Sequence, residues 1–87
     1  MYAIIVYDIG VKRVNKVRIF LRQYLNWVQN SVFEGELTKA EMLRVKAKLK
    51  SLIKPDHDSI LFYIVKDKRW MDFDLLGVRR AETSNII

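Results

Sequence analysis

No cysteine occurs in the 87 residues, which excludes disulfides, thiolate zinc sites and cysteine nucleophiles together. The single histidine, His57, cannot build a histidine-rich metal site or a nucleophile triad with any redundancy. No apolar run approaches the roughly 18 residues that read as membrane-spanning, so the chain is expected to be soluble. Met1 leads straight into an apolar run, with no positively charged leader ahead of a small-residue cleavage site, and the expected location is the cytoplasm. Acid is also scarce, with 10 Asp and Glu against 16 Lys and Arg for a net charge of +6.

The scarcity of acid is local. Five basic residues lie between Gly10 and Leu25 (Lys12, Arg13, Lys16, Arg18 and Arg22) with no acidic one. Six lie between Thr38 and Lys54 (Lys39, Arg44, Lys46, Lys48, Lys50 and Lys54) against Glu41 alone. Clustered Lys and Arg gain affinity for polyanions by releasing counterions from phosphates, so these segments favour a nucleic-acid partner over a pair of solvated helix faces.

Apolar periodicity lays out the elements. Tyr2 to Asp8 is a short β-branched run that predicts a strand, broken by Gly10. Val14, Val17, Phe20, Leu21 and Tyr24 recur at helical spacing and predict an amphipathic helix from Val11 to Tyr24. Leu25 to Gln29 and Val32 to Leu37 read as a hairpin around the Asn30-Ser31 turn. Thr38-Lys-Ala-Glu41 is a capping-box sequence, so a second helix is expected from Thr38, with Met42, Val45, Leu49, Leu52 and Ile53 buried and Lys54-Pro55 ending it. Ser59 to Val65 is a fourth strand, and the alternation of Trp70, Asp72 and Asp74 with Met71, Phe73 and Leu75 predicts a fifth.

Strand, helix, strand, strand, helix, strand is the order of the α+β ferredoxin-like fold, an antiparallel βαββαβ sheet with both helices on one face. We divide the single domain into a core over 1–66, a C-terminal strand over 67–80 and a loose tail over 81–87. The fifth strand is surplus to the basic fold and is expected to be exchanged with a second subunit in a homodimer. The topology puts Asp8, the Asn30-Ser31 turn and the Asp56-His57-Asp58 segment at one edge of the sheet.

Asp8 is the leading candidate site, a charge closing an apolar strand, with a simple turn residue as the alternative. His57 is better read as a solvated loop residue than as a general base. Tyr7 and Phe33 suit either base stacking or packing. Glu34 and Glu36 straddle Gly35 on one strand face, a spacing open to metal binding or to plain solvation.

Val6-Tyr-Asp-Ile9, Val28-Gln-Asn-Ser-Val-Phe-Glu-Gly-Glu-Leu37 and Asp58-Ser-Ile-Leu-Phe-Tyr-Ile-Val65 resemble the CRISPR-associated Cas-two family, in order and over nearly the whole chain. The resemblance implies a homodimer that acts in spacer acquisition, a part of antiviral defence, bound to the Cas-one integrase as a scaffold for duplex DNA. It further implies a magnesium-dependent endonuclease on RNA or DNA, with Asp8 of both subunits as catalytic residue and metal ligand. Nucleic-acid contacts carry over to Tyr7, Arg13, Lys16 and Phe33, and Lys12 joins them from the basic segment. Many relatives have acidic and hydroxyl residues just after Tyr-Asp-Ile. Here Gly10-Val11-Lys12 supplies neither, so no accessory metal ligand comes from that loop. A noncatalytic duplex-DNA scaffold is the alternative function. A single-strand RNA-binding module of the same topology ranks last, because Glu34 and Glu36 stand where RNA would lie.

Overall fold

The computed structural model describes residues 1–81; most of the expected tail over 81–87 lies outside the described residues. The elements run β1 (Tyr2–Asp8), α1 (Val11–Leu21), β2 (Asn26–Gln29), β3 (Val32–Glu36), α2 (Lys39–Leu52) and β4 (Ser59–Val65), followed by a 3-10 turn over Lys68–Trp70. The sheet order is β2-β3-β1-β4 with every pair antiparallel, which is the ferredoxin-like arrangement.

The period-two pattern of β1 decides what faces what. Ala3, Ile5 and Tyr7 point to one side and join Phe33, Leu37, Val17, Leu21, Met42, Val45 and Leu49 in a single buried cluster. Both helices therefore cover the same sheet face. Ile4, Val6 and Asp8 take the opposite side, beside Leu61 and Tyr63 of β4, which no helix covers.

Local chemistry accounts for the element ends. Thr38 and Glu41 form the expected capping box, the Thr38 amide donating to Glu41 Oε1 at 2.9 Å and the Glu41 amide to Thr38 Oγ1 at 3.1 Å. Helix α1 stops at Leu21, short of the expected Tyr24, because Gln23 and Tyr24 donate to Phe20 and Leu21 in tight three-residue turns that swing the chain into β2. Asn30, at φ 44°, supplies the left-handed turn residue of the hairpin, and the Trp27 indole donates to its carbonyl at 3.0 Å.

Among the described residues the segment expected as a fifth strand pairs with no strand of its own chain, as exchange with a second subunit would require. Trp70 closes the 3-10 turn and 71–76 has no ladder partner among the described residues. Asp67 redirects the backbone there by accepting from the Arg69 amide at 2.9 Å. Met71 and Leu75 are half-buried, so the alternation survives as packing only in part, for Phe73 between them stays 61% exposed. Alternating hydrophobicity sets sidedness, but a strand also needs an edge to hydrogen-bond.

Candidate functional site

Asp8 closes β1 on the uncovered sheet face, opposite Ser59 at the start of β4. The Tyr7 amide donates to the Ser31 carbonyl at 3.1 Å, so the hairpin turn, the end of β1 and the start of β4 meet at one sheet edge as the topology requires. The Asp8 carboxylate is exposed and has no hydrogen bond or ion pair among the described residues. No group of three or more His, Cys, Asp or Glu side chains is placed to hold a metal among those residues. The open sheet face thus offers a single free carboxylate among the described residues. That fits a hard oxygen-seeking cation such as magnesium, which takes one or two protein carboxylates and fills its shell with water and phosphate.

Three expected nucleic-acid contacts are corrected by burial or pairing. Phe33 is fully buried and Tyr7 is 4% exposed, the two rings packing 6.1 Å apart inside the core, so neither can stack on a base. The Tyr7 hydroxyl is buried without a hydrogen-bond partner. Burial pushes its pKa up, against a smaller downward pull from Arg18 and Arg22. Arg13 is spent inside the protein on Asp58. Lys12 and Lys16 are exposed on α1, Lys12 in its first turn, and both are available for phosphate.

Asp58 is the residue that sequence reasoning missed. Its side chain is fully buried and accepts from Arg13 Nε at 2.6 Å and Arg13 Nη2 at 2.9 Å. It also accepts from the Gly10 amide and the Lys54 amide, each at 2.9 Å. The carboxylate therefore ties together the start of α1, the end of the α2 connection and the entry to β4. The Arg13 bonds, with help from the two backbone amides and against the cost of burial, hold its pKa far below the ordinary carboxylate range. The bare Gly10 follows from the same arrangement, because a Cβ there would lie 2.5 Å from Arg13 Nη2.

The other acids of the sheet strands are engaged. The Tyr2 hydroxyl donates to the Glu34 carboxylate, and the terminal ammonium of Met1 lies 3.3 Å from Glu36. Burial first, then the Glu34 hydrogen bond and the Glu34 and Glu36 charges, raise the Tyr2 pKa well above its ordinary value. With separate partners, Glu34 and Glu36 do not form a metal pair. His57 is 67% exposed and 3.7 Å from the still more open Asp56, a solvated loop residue.

The fold and this edge define a class: a small ferredoxin-like domain that sets one unpartnered carboxylate on its open sheet face and its cations on its helices. Residues 1–73 match the family CRISPR associated protein Cas2, and the chain belongs to that family. It is 61% identical to the CRISPR-associated endoribonuclease Cas2 of Methanosarcina acetivorans over 87 residues, covering 100% of both chains. Identity to the protein of the same name from Pyrococcus furiosus is 49%, again over the full length of both. A crystal structure of Cas2 superposes with a TM-score of 0.84 at 48% identity, over 92% of this chain and 90% of that one. Streptococcus pyogenes Cas2, crystallised at pH 6.5, superposes with a TM-score of 0.77 at 33% identity, over 88% of this chain and 100% of that one.

Among the described residues, no helix is long and apolar enough to cross a membrane.

Proposed function

We propose that this chain serves CRISPR adaptation as a nucleic-acid-binding homodimer that works with the Cas-one integrase, and that it cleaves phosphodiesters with magnesium held at Asp8. The observation that carries the proposal is the state of Asp8: exposed, unpartnered and on the uncovered sheet face, while Glu34, Glu36 and Asp58 are engaged elsewhere. The name endoribonuclease carried by the Methanosarcina and Pyrococcus relatives favours RNA as the substrate to test first.

A homodimer is supported by the same face. Leu61 and Tyr63 are 54% and 58% exposed there, a patch that a second copy could cover while bringing a second Asp8 to the first. The 71–76 segment, with two unpaired sheet edges in reach of a partner, suits exchange between subunits.

Magnesium, when bound, would polarise a phosphoryl oxygen and lower the pKa of a coordinated water, so no histidine or serine nucleophile is needed. The chain's own part is to present the Asp8 carboxylate at a rigid strand end and to place Lys12 and Lys16 for substrate phosphates. A paired assay of Asp8→Asn against the original protein tests this. Magnesium-dependent cleavage should fall at least about a hundredfold with the fold unchanged; retention of cleavage assigns the activity elsewhere.

The second reading is a noncatalytic duplex-DNA scaffold. It is favoured by the single free carboxylate on the open sheet face among the described residues and by Gly10-Val11-Lys12, which adds no ligand. Duplex binding joined with the integrase that survives Asp8→Asn, beside absence of cleavage in both proteins, selects it.

A further inference from the structure

Along β1 and β4 the open sheet face changes character in one step. The cross-strand pairs that share this face are Ile4 with Tyr63, Val6 with Leu61 and then Asp8 with Ser59. Two largely apolar pairs give way to a carboxylate beside a hydroxyl. Residues directly opposite each other in an antiparallel ladder put their Cβ atoms about 5 Å apart on the same face, so both oxygens can reach one small ligand between them. Ser59 is exposed like Asp8, and neither side chain has a hydrogen bond among the described residues. A donor and an acceptor therefore stand side by side without being spent on each other. Asp58 fixes this orientation. Its carboxylate is held on the helical side by Arg13 and by the Gly10 and Lys54 amides, and the alternation of an extended chain then turns Ser59 to the open face. Ile60 and Phe62 continue the alternation by packing against the core.

We infer that the Ser59 hydroxyl supplies a second, neutral oxygen to the cation held by Asp8. This ligand belongs to the magnesium site of the proposed function and rests on that reading. Magnesium is a hard cation that takes oxygen ligands, and a serine or threonine hydroxyl serves it in phosphate-binding loops. The loop after β1 has no such group to give, because Gly10-Val11-Lys12 carries neither acid nor hydroxyl. Ser59 reaches the same carboxylate from the neighbouring strand instead. Strand ends anchored by the Asp58 clamp hold a ligand more firmly than a loop would. A hydroxyl also brings no charge. With Asp8 as its one anionic ligand from the chain, the cation keeps positive charge with which to attract a substrate phosphate.

The test is chemical denaturation of the full chain without nucleic acid, first in chelator and then over a series of magnesium concentrations, so that the rise in stability gives the affinity for magnesium alone. Ser59→Ala should match the original protein in chelator and bind magnesium at least about tenfold more weakly, since loss of even an outer-shell partner of a metal costs that much. Ser59→Asp should do the reverse. Two like charges on facing positions lower its stability in chelator, and the added carboxylate tightens magnesium binding by about tenfold, so the cation restores what the repulsion removed. In an Asp8→Asn background, Ser59→Ala should cost nothing further. Magnesium affinity that is lost in Asp8→Asn but unchanged in Ser59→Ala overturns the second ligand and leaves the Asp8 site standing. A Ser59→Asp protein that magnesium does not restore overturns it as well. Absence of any magnesium-dependent stabilisation in the original protein removes the Asp8 site and Ser59 with it.

Discussion

Asp8 and Asp58 stand at adjoining strand ends, Asp8 opposite the residue that follows Asp58, yet the two carboxylates have opposite surroundings. Asp58 is buried and satisfied by Arg13 and two backbone amides; Asp8 is exposed and has no partner among the described residues. The difference teaches how one sheet edge holds both a structural clamp and a carboxylate free for the proposed site. Asp58 pins the β1–α1 turn from below, and the turn in its place presents Asp8 to solvent. Of two neighbouring acids, the one that has no structural task is the one available for the proposed chemistry.

Breaking the buried member should have the largest effect. Arg13→Ala leaves a buried carboxylate without its counter-ion, and Asp58→Ala leaves the guanidinium and two amides without an acceptor. Thermal unfolding should show either variant melting on the order of 10 °C lower. Equal melting of variant and original would mean that the clamp is dispensable.

Gly10→Ala probes the same contact from the other side. The new methyl would meet Arg13 Nη2 at 2.5 Å, so the guanidinium must shift off Asp58 or the turn must open. A drop in melting temperature smaller than that of Arg13→Ala is expected. In the Arg13→Ala background the same change should cost little, since the clashing group is gone. Equal costs in both backgrounds would break the link between Gly10 and the clamp.

Acid should distinguish the clamp by its pH window. The folded-state pKa of Asp58 is depressed, so its stabilisation is present above the unfolded value near 4 and is lost as pH falls through that value toward the folded one. Melting followed from about pH 5 to pH 2 should fall more steeply in the original protein than in Asp58→Asn, which has no carboxylate to protonate at that position. Parallel curves would assign the acid sensitivity to other groups.

These contrasts also mark what a sequence can carry. The elements were legible because each rests on local pattern: the β-branched run of β1, the three-residue interval from Thr38 to Glu41, the apolar block of β4. The meeting of Asp8, Ser31 and Ser59 at one edge was legible too, because topology alone fixes it. The Arg13–Asp58 pair was not, since 45 residues separate the partners and nothing local sets Asp58 apart from Asp56. The nearest signal was the combination of a bare glycine and an arginine opening a helix with an acid opening the adjoining strand. Tyr7 and Phe33 were misassigned to base stacking because residue type does not report sidedness; counting alternation from Ala3 and Ile5 would have placed Tyr7 in the core. The segment from Trp70 to Leu76 has strand alternation without a partner edge in its own chain, and pattern is silent about partners.

Smallest of all should be the effect of Asp8→Asn on stability. An exposed carboxylate without a partner contributes no ion pair or buried hydrogen bond, so the substitution should stay within about 0.5 kcal/mol of the original protein. Chemical denaturation at neutral pH, with chelator to remove divalent cations, measures it directly. Added magnesium then sharpens the contrast with Asp58: a ligand that binds only the folded protein raises its stability by mass action, and that increment should be present in the original and absent in Asp8→Asn. A large destabilisation in chelator would return Asp8 to the structural role of its neighbour, because a carboxylate that holds the fold together is not free to hold a metal.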